Sequence, residues 1–76
     1  MLELYSMDSC PYCLKVKEFF KKHNIQYIER DVNNPEYAME LMKLGGKGQV
    51  PFLANKEKNV YIYNSDDIIK YVQEKE

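Results

Sequence analysis

Seventy-six residues make one domain, residues 1–76, with a modest core, because a chain this short buries only about 60% of the surface its unfolded form exposes. With 45% hydrophobic and 30% charged residues, and few Gly or Pro, the composition is that of a globular domain and not of a disordered or collagenous chain. A net charge of −1 gives no reason to expect nucleic-acid binding, no apolar run approaches the ~20 residues that span a bilayer, and no basic-then-apolar leader opens the chain, so no membrane partner and no signal peptide are expected.

Leu2 to Tyr5 is apolar apart from Glu3 and predicts a buried strand, followed by a polar turn over Ser6 to Ser9. Pro11 suits the first position of a helix, where its missing N–H costs nothing, and this puts Cys10 at or beside the N-cap. Cys13, Val16, Phe19 and Phe20 then share one face, with Lys15, Lys17, Glu18, Lys21 and Lys22 mostly on the other. Lys21, Lys22 and His23 favour the negative end of the helix dipole, and Asn24 is a plausible stop.

Ile25 to Val32 predicts a second strand, which with the first strand and helix makes a parallel βαβ unit. Asn34 and Pro35 open a second helix with an apolar stripe of Tyr37, Ala38, Leu41, Met42 and Leu44, ended by Gly45 and Gly46. Gln49 to Ala54 leads into a third strand. A turn over Asn55 to Asn59 joins it to Val60-Tyr61-Ile62-Tyr63, a connection short enough to require an antiparallel hairpin. Asn64 or Ser65 caps a last helix with Asp66 and Asp67 in its first turn and Ile68, Ile69 and Val72 inward. The order β-α-β-α-β-β-α predicts an α/β domain with a four-stranded mixed sheet.

The chemistry concentrates in Cys10-Pro11-Tyr12-Cys13, which holds both cysteines of the chain. In a chain with no secretory leader, a Cys-x-x-Cys pair points to thiol redox work. The alternative, half of a zinc site, needs two more ligands, and only His23 remains, at the far end of the helix. The thiolate is the attacking species, and the free N–H groups and dipole of a helix start stabilise an anion. Cys10, at that start, is therefore expected to be the nucleophile, and Cys13, one turn in, the resolving thiol.

Together, Cys10-Pro11-Tyr12-Cys13, Val50-Pro51 and Ser65-Asp66-Asp67, in this order and spacing, resemble the glutaredoxin family over essentially the whole domain. The resemblance implies a thioredoxin-like fold, a redox-active dithiol at Cys10 and Cys13, and glutathione as co-substrate with no metal. It implies a cis peptide before Pro51, with the main chain of Val50 pairing with glutathione, although a trans proline at an edge strand is the ordinary reading of such a step. Lys47 stands where the family often sets a cation against the glycine carboxylate; a solvated loop lysine explains it equally. Tyr12 and Gln49 are further groove candidates, Tyr12 being otherwise an exposed aromatic. Ser65 and Asp66 match the family's site for the γ-glutamyl end, while helix capping alone would account for Ser65.

Four residues, at three places, depart from the usual pattern. Met7 and Asp8 stand where a Lys often precedes the first Cys, Gln49 where a Thr often precedes Val-Pro, and Asn64 where Gly usually precedes the last helix. The leading expectation is a monomeric, cytoplasmic, glutathione-dependent thiol–disulfide oxidoreductase acting on disulfide-containing or glutathionylated proteins. Gln49 also fits glutaredoxin-like redoxins recycled by a thioredoxin-reductase-type flavoprotein. Iron–sulfur carriage is the third reading, opposed by Pro11 and Cys13. The lysines of the first helix either steer anionic substrates or form a solvated face, and the latter explains them without a ligand.

Overall fold

Alternation along the strands decides which helix lies on which face. The computed structural model describes residues 1–75, with the side chain at position 75 left aside. The elements are β1 (Leu2–Ser6), α1 (Pro11–Lys22), β2 (Tyr27–Asp31), α2 (Pro35–Gly45), β3 (Phe52–Asn55), β4 (Val60–Tyr63) and α3 (Ser65–Lys75). The sheet order is β2-β1-β3-β4, with β2 parallel to β1 and the other neighbours antiparallel. This is the expected mixed sheet in the expected chain order. Among the described residues, no helix is long and apolar enough to cross a membrane.

Leu2 and Leu4 of β1 and Leu53 of β3 point to one face, where they meet Val16 and Phe20 of α1 and Ile68 and Val72 of α3. Glu3 and Tyr5 point to the other, and Tyr5 joins Phe52, Ala54 and Leu41 of α2. Side chains of opposite parity on one strand thus serve opposite layers. Every residue of β1 and β3 is buried as a result, whereas β2 and β4 are edges and only part-covered. Full burial of a side chain such as Phe20, Leu53 or Ile68 contributes roughly 1.5–3 kcal/mol.

The two layers differ in kind. The face carrying α1 and α3 is mostly apolar, with Asn55 Nδ2 donating to the Tyr71 hydroxyl at 3.2 Å. The α2 face ends in a polar network: the Tyr5 hydroxyl donates to Glu40, and the Glu3 carboxylate lies 3.2 Å from Arg30 and 3.4 Å from Lys56. Arg30 also donates to the Tyr37 hydroxyl at 3.3 Å and lies over its ring. Glu3 is buried in mid-strand because two cations meet it there. This network also explains a departure from the expected stripe of α2. Leu41 alone is buried, Tyr37, Ala38 and Leu44 are half-buried, and Met42 is exposed. On the last helix Ile68 and Val72 are buried as expected, with Ile69 half-buried.

The second strand is shorter than its apolar run. Asn24 takes a left-handed φ of 55°, and the Ile25 N–H returns to the Phe20 carbonyl at 2.8 Å, so Ile25 and Gln26 belong to the exit of α1. At the other end the Asp31 carboxylate accepts the Asn33 N–H at 2.9 Å and turns the chain. Ile28 is exposed on this edge strand. Ser6 and Asn55, read as turn residues, are instead the last residues of β1 and β3 and are buried.

Two expected outcomes follow from these contacts. The Asn34 Oδ1 accepts the Glu36 N–H at 2.9 Å and caps α2. Asn34→Ala should cost about 1 kcal/mol, or roughly 4–8 °C in a thermal melt of so small a domain. The hydrogen bond from Tyr5, with the charges of Lys56 and Arg30, holds the Glu40 carboxyl below its ordinary 4.5 against the opposing effect of burial. A depressed carboxyl adds stability above its unfolded value and loses it as pH falls through the folded one. The stability advantage of wild type over Tyr5→Phe should therefore be full near neutrality and shrink below pH 4.5 in denaturant titrations run across pH.

Candidate functional site

A helix start needs acceptors for its first N–H groups, and here the acceptor is sulfur. Cys10 is the N-cap of α1, with extended backbone at φ −91° and ψ 114°, Pro11 at the first helical position, and the Cys13 N–H donating to the Cys10 Sγ at 3.3 Å. The thiol occupies the place that a Ser or Asp oxygen takes in an ordinary cap. The Cys10 N–H donates to the Met7 carbonyl at 3.2 Å, which fixes the turn leading in from β1.

The two thiols occupy unlike surroundings. Both are free, Cys10 part-exposed and Cys13 wholly buried. Burial first, and then its hydrogen bond with Cys10, push the Cys13 thiol up to about 12, although the Met7 backbone and the charge of Lys17 pull the other way. Cys13 is therefore the protonated, shielded thiol of the pair.

Lys17, one turn below Cys13, is where a cation enters this site. Its ammonium lies 2.7 Å from Glu29 and 3.7 Å from Asp8. Burial alone would lower its basicity, but the hydrogen bond with Glu29 and the charges of Glu29 and Asp8 raise it on balance. The sequence left a gap at Met7 and Asp8, ahead of the first Cys. Lys17, grouped in the sequence with the lysines mostly on the opposite face, instead follows Cys13 at i, i+4 and brings a charge to its side of the helix.

Beside the dithiol lies an open groove of ≈ 290 Å³, lined by Tyr12, Gln49, Val50, Pro51, Asn64 and Ser65. It brings together five of the seven residues expected to meet glutathione. The Val50–Pro51 peptide is cis, Pro51 is buried, and Tyr12 is 64% exposed at the rim. The other two stand outside the lining. Lys47 is exposed on the loop before Gln49, its ammonium 5.5 Å from the centre of the Tyr63 ring. Asp66 is exposed and paired at 2.7 Å with Lys15 of α1, which ties the first turn of α3 to α1.

Asn64, one of the two candidates for the cap of the last helix and a departure from the usual glycine, is the one that fills that role. It holds φ 76°, a left-handed conformation that few side chains adopt, and its Oδ1 accepts the Asp66 N–H at 3.2 Å. Asn64, and not Ser65, caps α3. Ser65 is the first helical residue and is buried against the groove. Among the described residues no group of three or more His, Cys, Asp or Glu could hold a metal ion. His23, the remaining ligand of the zinc alternative, closes the other end of α1, about 18 Å of helix away.

Comparison with known proteins agrees with this geometry. The family model for glutaredoxin matches residues 2–60. The chain is 34% identical over 74 residues to glutaredoxin 1 of Rickettsia typhi, covering 93% of this chain and 69% of that protein. The crystal structure of a thioredoxin-like protein superposes with a TM-score of 0.82 at 25% identity, covering 97% of both chains. Glutaredoxin 2 of Salmonella typhimurium, solved with glutathione, superposes at 0.79 and 30% identity, covering 95% of this chain and 32% of that one. With the match running from β1 to the start of β4, the chain belongs to the glutaredoxin family and is a glutaredoxin-type redox protein, a thiol oxidoreductase in the general sense.

Proposed function

We propose that this protein is a glutathione-dependent thiol–disulfide oxidoreductase acting on glutathionylated proteins and on protein disulfides. The observation that carries the reading is the asymmetric dithiol: a part-exposed sulfur accepting a helix N–H, with a buried partner thiol one turn below. The relative solved with glutathione and the groove of Tyr12, Gln49, Val50, Pro51 and Ser65 support glutathione as the co-substrate.

On a protein–glutathione mixed disulfide, the Cys10 thiolate attacks the glutathione sulfur. A Cys10–glutathione disulfide forms and the protein leaves as thiolate. A second glutathione thiolate attacks the glutathione sulfur of that intermediate, releasing glutathione disulfide and the Cys10 thiolate. One free glutathione is consumed per turnover, the other half of the glutathione disulfide being the glutathionyl group taken from the substrate, and Cys13 takes no part. On a protein disulfide, Cys10 forms a mixed disulfide with one protein sulfur and releases the other. Cys13 loses its proton and attacks Cys10, closing the Cys10–Cys13 disulfide and freeing the substrate dithiol. Two glutathiones reopen the ring and leave as glutathione disulfide. Proximity gives Cys13 the advantage over free thiols in that step.

In the groove, the main chain of Val50 would pair with the cysteinyl part of glutathione. The free N–H groups at the start of α3 would take the γ-glutamyl carboxylate, and Lys47 the glycine carboxylate. Asp66 would exchange Lys15 for the ligand's α-ammonium, an exposed ion pair worth little on its own. Work as a monomer in the cytoplasm, where a reducing poise keeps the dithiol open, belongs to the same proposal.

Gln49 in the groove favours one alternative, recycling by a thioredoxin-reductase-type flavoprotein. Turnover with glutathione plus glutathione reductase, set beside turnover with thioredoxin reductase, separates the two. The proposal expects the first to be faster, and activity with thioredoxin reductase alone would replace it with the alternative.

Cys13→Ser should keep or raise turnover of a glutathionylated peptide, since the competing internal disulfide cannot form, while losing most reduction of a protein disulfide. Cys10→Ser should lose both. Activity surviving Cys10→Ser but not Cys13→Ser would reverse the roles. Lys47→Ala and Asp66→Ala should each raise the glutathione requirement roughly 2- to 5-fold, the scale of an exposed charged contact, without changing the rate at which iodoacetamide modifies Cys10.

A further inference from the structure

The loop that forms one wall of the groove, residues 47–50, crosses from the end of α2 to β3. Gly48 and Gln49 in it are exposed. Among the described residues, both hydrogen bonds that tie this segment to the rest of the chain run to one atom, the hydroxyl of Tyr63. It accepts the Lys47 N–H at 3.1 Å and donates to the Lys47 carbonyl at 2.7 Å. One hydroxyl therefore satisfies both polar groups of a single residue, which fixes the orientation of both flanking peptides.

The ring of Tyr63 makes the other contacts. It packs on Phe52, the residue after Pro51, with centroids 4.6 Å apart. Its face lies under the Lys47 ammonium. Tyr63 thus touches the loop before it begins to cross and again where it enters β3. In sequence it immediately precedes Asn64 and Ser65, which form part of the groove lining beside that loop. One side chain links the two sides.

Gly45 makes room for this arrangement. A Cβ built at position 45 would meet the Tyr63 hydroxyl and lie 2.7 Å from its Cζ and 2.9 Å from its Cε2. Gly45 is the last residue of α2, and no positive φ demands glycine there. Space for the Tyr63 ring is the reason on hand.

We propose that Tyr63 is a positioning residue for substrate recognition: through the Lys47 peptide its hydroxyl holds the 47–50 loop in the shape that presents Val50 and Lys47 to glutathione. The inference rests on the glutathione reading above. Tyr63 need not touch the ligand or the reacting sulfurs. Its effect belongs in binding of the glutathione part of the substrate and not in the nucleophilicity of Cys10.

The test is steady-state turnover of a glutathionylated peptide, with glutathione and glutathione reductase, by wild type, Tyr63→Phe and Gly45→Ala. Tyr63→Phe keeps the ring and its cation contact and removes only the hydroxyl. Gly45→Ala displaces the hydroxyl from the opposite side. Each should raise KM for the peptide by roughly 3- to 10-fold, the scale of lost hydrogen bonds, with kcat within about twofold of wild type. The rate of Cys10 modification by iodoacetamide should not change, and the Lys47 amide should exchange faster with deuterium in Tyr63→Phe. Glutathione-dependent turnover with an unchanged KM in Tyr63→Phe would overturn the role of Tyr63 and leave the glutathione reading standing. So would a fall in kcat or in Cys10 modification with no change in KM. A wild type that does not use glutathione at all would overturn both.

Discussion

A sulfur atom closes the N-terminus of α1, and the rest of the site takes its meaning from that bond. A cap improves as its acceptor gains negative charge, because the N–H groups and the dipole of the helix both face it. The same contact caps the helix and fixes the Cys10 sulfur over its first turn. When the sulfur is bonded to another sulfur it carries no charge and caps less well.

The sheet supplies the contrast between the two thiols. β1 and β3 are buried on both faces, and the chain leaves β1 directly into the turn that carries Cys10. Cys13 then falls on the face of α1 that carries the buried Val16 and Phe20, which keeps it dry and protonated, while Cys10 remains at the rim. Lys17 puts a positive charge on the same side of the helix, held there by Glu29 and Asp8. Helix periodicity thus gives one strand–helix junction two thiols of opposite character.

Much of this was legible in the sequence because the signals were local. Cys10 and Pro11 announced the cap, Asn34-Pro35 and Gly45-Gly46 bracketed α2, and the short connection over Asn55 to Asn59 gave the hairpin. The run from Ile25 to Val32 misled, since hydrophobicity says that a residue is wanted inside but not whether a strand or a turn brings it there. The stripe of α2 misled for another reason. Glu3, Tyr5, Arg30, Glu40 and Lys56 come from β1, β2, α2 and the β3–β4 turn, and no periodicity within one element reveals that they meet. The part played by Tyr63 was hidden in the same way, its partner lying 16 residues earlier in the loop after α2.

Asn64 fixes how freely this edge of the groove can drift. Its backbone turns left-handed while its side chain accepts the Asp66 N–H, so two requirements fall on one residue. Glycine meets the first and gives up the second; serine meets the second and resists the first. Asparagine, with aspartate close behind, is nearly alone in meeting both. Position 64 is therefore confined to a very small alphabet by backbone geometry before any ligand imposes a choice, and invariance there is a poor guide to which molecules the groove has been selected to hold.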